Sequence, residues 1–156
     1  MQQGRSKEPR TNVALDSLDK RTFGDTVKDF LKAAKKAGLN VALFEGTRSI
    51  ERQRWLFGQG LAQLDGINER SSHQLGTAVD IVFKDDRNKF SFSSENDWKK
   101  LGELGESFGL VWGGRWKTPV LSHFQANPFR IRFIDLHHNR FGPAAACNGC
   151  GGGCSS

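Results

Sequence analysis

The segment TAVDIVF, from Thr77 to Phe83, constrains the fold most, because it places an aspartate in the middle of a predicted strand. Side-chain alternation puts Ala78, Asp80 and Val82 on one face of that strand, which is largely apolar. A buried carboxylate without a partner is costly, so Asp80 requires a cation, hydrogen bonds or a metal ion. The fold must therefore bring further polar groups to this strand.

A histidine precedes the strand in the stretch SSHQLGTAVD. His73 lies in the loop that enters the strand, and Gly76 permits a tight turn that lets the histidine and Asp80 converge. Imidazole nitrogen and carboxylate oxygen are ordinary zinc ligands, and a catalytic zinc site needs a third protein ligand. His123, in the predicted strand SHFQ, is the natural candidate. On spacing alone, a core histidine bonded to Asp80, with His123 unrelated, is the competing interpretation.

Helical and strand patterns alternate along the rest of the chain. Apolar spacing predicts a helix from Phe23 to Leu39, with Gly38 as its C-terminal stop. A short buried strand follows from Asn40 to Gly46, and Ser49 caps the next helix. A third helix and the strands LVWGG and SHFQ complete the pattern. This order predicts an α+β domain with a small antiparallel sheet flanked by helices.

The length of 156 residues allows one domain with a substantial core. We divide the chain into a polar N-terminal arm (1–20), a folded domain (21–127) and a C-terminal extension (128–156). No stretch approaches the roughly 20 apolar residues that span a bilayer, and the first residues lack the apolar core of a secretory signal. We therefore expect a protein made in a bacterial host cytoplasm, or one released by a route other than general secretion.

The net charge of +6 and the pI of about 9.5 favour anionic partners. Nucleic acid, bacterial cell-wall polymers and virion components all qualify, and a basic surface that only aids solubility is the alternative. The chain contains no recognised nucleic-acid motif, and its positive residues are scattered. Charge alone thus gives weak support to a nucleic-acid-binding protein.

All three cysteines lie in a glycine-rich tail, as Cys147, Cys150 and Cys154. A further metal or iron–sulfur site usually needs four ligands. Another chain, His137 or His138 would have to supply the fourth. A tail with incidental thiols is the alternative.

The ten residues 71–80, SSHQLGTAVD, followed by His123, resemble the zinc motif of the M15 metallopeptidases. This family includes D-alanyl-D-alanine carboxypeptidases and dipeptidases, and the phage L-alanyl-D-glutamate endolysins. The upstream stretch FEGTRSIERQRWLFGQG, which contains Arg48, and the stretch WGGRW are also similar to this family. The resemblance covers roughly residues 23–126.

The resemblance implies roles for particular residues. It implies that His73, Asp80 and His123 bind Zn²⁺, and that Arg48 positions or stabilises the substrate carbonyl or its oxyanion. It also implies that Ser71 supports the site through an outer hydrogen bond. From the residues alone, the alternative interpretation of Arg48 is a surface arginine after a turn. The alternative for Ser71 is a serine that only forms part of a loop.

Two positions depart from the family pattern. The general base, an Asp or Glu three residues before the last histidine ligand, is Val120 here, and a stretch that often carries an acidic residue contains Arg115. Glu45 or Asp135 could supply the base from elsewhere. Otherwise, the chain is a weak enzyme that relies on zinc hydroxide alone, or a degenerate peptidase fold that binds murein or serves as a structural part.

These features together predict a phage-type zinc metallopeptidase domain that acts on peptidoglycan peptides. Such a protein would be a lysin freed by a holin or a peptidase carried in the virion, with other virion proteins as further partners. The alternative is a catalytically inactive murein-binding or structural phage tail protein that keeps the zinc fold without the base.

Overall fold

The computed structural model describes residues 15–18, 23–91 and 95–128. Within these ranges the helices are α1 (Phe23–Lys36), α2 (Ile50–Gly58) and α3 (Glu95–Ser107). The strands are β1 (Val41–Glu45), β2 (Ala78–Lys84), β3 (Phe90–Ser91), β4 (Leu110–Trp112) and β5 (His123–Ala126). Short 3-10 turns lie at Leu15–Ser17 and Gly113–Arg115. The predicted α+β class is confirmed.

Helix α1 buries one face and ends at Lys36, two residues before a glycine and three residues earlier than the sequence predicted. Phe30 and Ala34, four residues apart, are fully buried on that face. Gly38 adopts a φ of 77°, in the left-handed region that glycine favours. Its N–H donates to the carbonyl of Lys35 at 3.1 Å, and the N–H of Leu39 donates to that of Ala34 at 3.0 Å. This pair of bonds ends the helix and directs the chain into β1.

The sheet is antiparallel, with strand order β1–β2–β5–β4, and β3 also pairs with β2. Asp80 of β2 lies opposite His123 of β5, and Val79 lies opposite Phe124. On the other side of β2, the pairing with β1 is irregular after Leu43, so that Glu45 also lies beside Asp80. The middle of β2 is thus the point where three strands bring polar side chains together.

The two faces of β2 have different surroundings. Val79, Ile81 and Phe83 belong to the hydrophobic core that α1 and α3 cover, whereas Asp80 lines a cleft on the opposite face. The side chains of β2 alternate as predicted. The sequence predicted a largely apolar environment for Asp80, whereas in the structure Asp80 lines the cleft. The core comprises Leu18, Phe23, Val27, Phe30, Ala34, Val79, Ile81, Phe83, Leu101, Leu110, Trp112 and Phe124.

A turn between β4 and β5 closes one side of the cleft. The N–H of Val120 donates to the carbonyl of Gly113 at 3.0 Å. A Cβ on Gly113 would lie 2.7 Å from the carbonyl oxygen of Val120, so the close approach requires glycine. This contact folds residues 116–122 toward the cleft and brings Val120 to its rim.

The packed body includes the end of the segment assigned to the N-terminal arm, because Leu18 is buried in the core. Residues 1–14 and the C-terminal extension from residue 129 lie outside the described residues. No helix in the described ranges is long and apolar enough to cross a membrane.

Candidate metal centre and cleft

Three polar side chains meet at one end of the β2–β5 pair. Asp80 and His123 face each other across the two strands. His73 reaches them from the turn before β2, where its carbonyl accepts from the N–H of Gly76 at 3.2 Å and from that of Arg48 at 3.0 Å. Gly76 has a φ of 70°, which makes this turn favourable for glycine. The structure therefore brings together the three residues that the sequence proposed as zinc ligands.

The distances within this cluster are short. His73 Nε2 lies 3.2 Å from His123 Nδ1 and 3.4 Å from Asp80 Oδ2. His123 Nδ1 lies 3.5 Å from Asp80 Oδ1. One ligand atom from each residue falls within 4.8 Å of the others, which is the spacing of a shared metal ion.

The outer nitrogens of the two imidazoles decide which atoms face inward. His73 Nδ1 lies 2.9 Å from the carbonyl oxygen of Gly46, which can only accept, so Nδ1 carries the hydrogen. His123 Nε2 lies 3.1 Å from the amide oxygen of Gln125 and likewise donates. In the neutral rings, His73 Nε2 and His123 Nδ1 are then both lone-pair acceptors. Two such nitrogens beside the Asp80 carboxylate form a set that a divalent cation fits.

The pKa of the Asp80 carboxyl favours its ionised form. Burial alone raises the pKa of this carboxyl, but hydrogen bonds and charge from His123 and His73 outweigh burial, so the pKa lies below its usual value. The carboxylate is therefore ionised at neutral pH. An ionised carboxylate is the form that binds a metal ion.

Arg48 lies next to the three candidate metal ligands and is not a free surface arginine. Its Nη2 lies 3.4 Å from Asp80 Oδ2, its Nη1 donates to the amide oxygen of Gln53 at 2.9 Å, and its Nε and Nη2 both contact Glu45. The side chain is 10% exposed and lines the cleft. Arg48 is thus close enough to contact a ligand of the metal site.

Ser71 reaches the site indirectly. Its hydroxyl donates to the amide oxygen of Gln53 at 3.0 Å, and that oxygen also accepts from Arg48. The amide nitrogen of Gln53 donates to the carbonyl of Leu64 at 2.6 Å. The sequence analysis did not identify Gln53. The only sequence feature that could have indicated it is a polar residue in a predicted helix, five positions after Arg48.

The cleft has a volume of about 670 Å³. Its lining is polar beside the candidate metal ligands, while Leu61, Leu64, Trp116 and Val120 add apolar surface. Asp80 is the one carboxylate that lines it in the described part of the chain. The residues that line the cleft are Arg48, Gln53, Gly60, Leu61, Ala62, Gln63, Leu64, Ser71, Ser72, His73, Asp80, Trp116, Lys117, Thr118, Val120, His123 and Gln125.

The candidates for a replacement base do not reach this cleft among the described residues. Glu45 is only 2% exposed, and its two oxygens pair with Arg48 and Arg52, so it is neither a free base nor a residue at the strand surface. Asp135 lies outside the described residues. Val120 is 41% exposed at the rim and carries no proton acceptor on its side chain.

Arg115 does not change the charge of the cleft. Its guanidinium does not line the cleft and binds the Glu106 carboxylate on α3 at 2.9 and 3.1 Å. Trp112 lies in the core and donates its indole N–H to the carbonyl of Leu121. Trp116 lines the cleft, with its ring centroid 5.0 Å from that of His123.

The predicted cysteine site cannot be placed, because Cys147, Cys150 and Cys154 lie outside the described residues, as do His137 and His138. The only group of three metal-ligating side chains in the described ranges is His73, Asp80 and His123.

Comparison with known proteins adds an independent finding. A family model described as D-alanyl-D-alanine carboxypeptidase matches residues 65–126, the segment that contains all three candidate ligands. The peptidoglycan L-alanyl-D-glutamate endopeptidase CwlK of Bacillus subtilis (strain 168) is 30% identical over 103 residues. The alignment covers 57% of this chain and 62% of CwlK, so this chain spans less than two thirds of that relative's length.

Solved structures share the fold. The L-Ala D-Glu endopeptidase ChiX of Serratia marcescens matches with a TM-score of 0.57 and 27% identity, covering 76% of this chain and 86% of ChiX. The vancomycin resistance D,D-pentapeptidase VanY, solved with Zn(II), has a TM-score of 0.57 and 19% identity, covering 77% of this chain and 78% of VanY. At that identity VanY supports the fold alone. Together, these matches and the motif from Ser71 to Asp80 show that this chain resembles the M15 peptidases in sequence and in fold.

Proposed function

We propose that this chain holds Zn²⁺ at His73, Asp80 and His123 and hydrolyses peptide bonds in peptidoglycan. The observation that carries the proposal is the convergence of two imidazole lone pairs and an ionised carboxylate within 4.8 Å. Similarity to peptidoglycan endopeptidases of the M15 type supports the substrate class.

The residues around the ligands would divide the work. A zinc ion held there would supply Lewis-acid polarisation of a peptide carbonyl and activation of water. The carbonyl of Gly46 and the amide of Gln125 keep both imidazoles in the tautomer that leaves a lone pair free. The fixed rings need no reorganisation when a ligand enters the cleft.

Arg48 would contact the ligand through one remaining hydrogen. A guanidinium has five N–H donors. Contacts to Glu45 take two of them, and contacts to Gln53 and Asp80 take one each. One hydrogen on Nη1 is left without a partner among the described residues. It would donate to a substrate carbonyl oxygen and stabilise the negative charge that develops there.

A second candidate function follows from the rim of the cleft. Val120 stands where the family pattern has the general base, and Asp80 is the one carboxylate lining the cleft in the described ranges. General acid–base catalysis contributes about 10²–10⁴-fold, so its loss would leave a slow enzyme or none. The alternative is therefore a zinc-containing domain that binds peptidoglycan peptides without cleaving them. The phage origin and the partner virion proteins stay predictions.

Release of free amino groups from purified peptidoglycan tests the proposal. Zinc-loaded protein is compared with His73→Ala and with protein treated with a chelator, and co-sedimentation with the same peptidoglycan measures binding. Zinc-dependent release above the His73→Ala background supports the peptidase. No release, with one zinc per chain and with retained co-sedimentation, would reject the peptidase and favour the binding domain.

A further inference from the structure

Four buried or half-buried charges of alternating sign run from helix α2 to the candidate metal ligands. Arg52 Nε lies 2.9 Å from Glu45 Oε1, Glu45 Oε2 lies 3.0 Å from Arg48 Nε, and Arg48 Nη2 lies 3.4 Å from Asp80 Oδ2. Their side chains are 5%, 2%, 10% and 15% exposed, in that order. We call this set the charge chain.

Glu45 is the most buried member and the only one that contacts two arginines. Its position at the end of β1 follows from the irregular pairing after Leu43, which sets Glu45 beside Asp80. A carboxylate withdrawn from water to this extent costs stability unless partners compensate it, and removal of one partner leaves an unpaired buried charge. Glu45 does not line the cleft, so contact with a ligand does not explain its burial.

We propose that Glu45 is a positioning residue that fixes the guanidinium of Arg48 beside Asp80 and turns its remaining N–H toward the cleft. This inference rests on the proposed function. Glu45 holds the Nε edge of the guanidinium and Gln53 holds Nη1, so the plane of the group is set from two sides.

Glu45 also keeps Arg48 from competing with a metal ion for Asp80. An arginine that lost its carboxylate partner would move its charge toward the nearest remaining carboxylate, which is Asp80, now 3.4 Å away. A closer ion pair there would weaken the metal site. Glu45 therefore acts on both the ligand and the metal through Arg48.

The test is a double-mutant cycle with Glu45→Gln and Arg48→Lys. Glu45→Gln is expected to lower zinc-dependent peptide hydrolysis and zinc affinity about tenfold or more. In the Arg48→Lys background, the same substitution should change each quantity less than about twofold. Equal factors in both backgrounds would overturn the inference, because Glu45 would then act independently of Arg48. Glu51→Gln, the same substitution at an exposed position on α2, is the matched control and should change neither quantity.

Arg52→Met separates positioning from general stability. Arg52 is buried and pairs with Glu45 but does not line the cleft. This variant should also lower the melting temperature, yet retain hydrolysis within about threefold. A loss of hydrolysis equal to that of Glu45→Gln would mean that the charge chain is only structural. If Glu45→Gln does not fold, the cycle is run in the Arg52→Met background, which removes the second buried cation.

A nuclear magnetic resonance readout separates the inference from the proposed function. A buried, hydrogen-bonded Nε–H exchanges slowly, so zinc-free protein should give an Arg48 side-chain signal that Arg48→Lys removes. The signal should persist in Glu51→Gln and disappear in Glu45→Gln. If it does so while no variant hydrolyses peptidoglycan, the proposed function fails and the positioning role stands. An unchanged Arg48 signal in Glu45→Gln overturns the positioning role whatever the activity.

Discussion

The two walls of the cleft differ in how firmly their side chains are held. On the ligand wall, His73, Asp80 and Arg48 are buried or nearly so, and each has at least two polar partners. On the opposite wall, formed by residues 116–120, the side chains of Trp116 and Val120 are exposed at the rim. The first wall takes Asp80 from a strand and His73 and Arg48 from adjoining turns, whereas the second wall is a single turn.

Because the two walls differ in this way, substitutions at the candidate ligands and at position 120 are expected to differ in their cost to stability. A change of Asp80 or His73 would leave buried polar groups without partners, which costs stability. A change at position 120 affects a side chain that is 41% exposed, while the backbone N–H of Val120 donates to Gly113 and its carbonyl accepts from His123. The turn can therefore lose a catalytic group at little cost to the fold.

The largest effect is expected on the ligand wall. His73→Ala or His123→Ala removes one of three converging ligands, so the protein should lose its zinc and melt at a lower temperature. Stabilisation by a ligand at 100 times its Kd is about 2.7 kcal/mol, and that contribution should vanish. Metal analysis and calorimetry measure both quantities. Glu51→Gln, at an exposed position on α2, is the control and should keep its zinc. Wild-type zinc content in His73→Ala would refute the ligand assignment.

A gain of function is expected on the opposite wall. Val120→Glu or Val120→Asp restores a carboxylate at the cleft rim, and hydrolysis of peptidoglycan should rise by about 100-fold if only the base is missing. The matched control is Leu121→Glu, since Leu121 is similarly exposed at 37% and does not line the cleft. No gain with zinc still bound would indicate a second defect or another base already in use.

A smaller effect on zinc binding is expected at Gln125, which contacts the candidate ligand His123. Gln125→Leu removes the acceptor of the His123 Nε2 hydrogen and should weaken zinc binding about 10-fold. Competition with a chromophoric chelator measures the affinity. Ser72→Ala removes only the hydroxyl that donates to Gln125 at 3.2 Å, so its effect should be smaller. Equal losses in the two variants would contradict the proposed role of the amide.

The smallest effect is expected at Arg115. This guanidinium binds Glu106 away from the cleft, so Arg115→Gln should change peptidoglycan binding less than about twofold. Lys117→Gln, which removes a cation that lines the cleft, should weaken binding more. Co-sedimentation at low salt compares the two. A larger loss for Arg115→Gln would mean that the arginine reaches the bound polymer.

Local patterns were sufficient to predict the elements that build the ligand wall. The alternation in β2 and the position of His123 in a second apolar strand allowed their approach to be predicted, and the structure places the two residues directly opposite each other. The Gly38 stop of α1 was likewise visible from residue type. These predictions were possible because helices and strands impose a regular spacing of buried side chains and characteristic residues at their ends.

Contacts set by irregular backbone could not be predicted. The burial of Glu45 depends on the irregular pairing after Leu43, and the direction of Arg115 depends on a 3-10 turn. Neither feature has a periodic signal in the sequence. The role of Gln53 was also hidden, because a single buried amide in an amphipathic helix becomes informative only when its three partners are known.

The separation of the ligands along the chain has a consequence for folding order. His73 and Asp80 come from one short stretch, but His123 is 50 residues from His73. Loop closure makes such a distant pairing slow, so all three side chains meet only after β5 has docked on β2. A metal ion that needs all three would bind the finished fold and not the nascent chain. It would then slow unfolding without guiding folding, and the zinc-free protein should reach the same fold at the same rate.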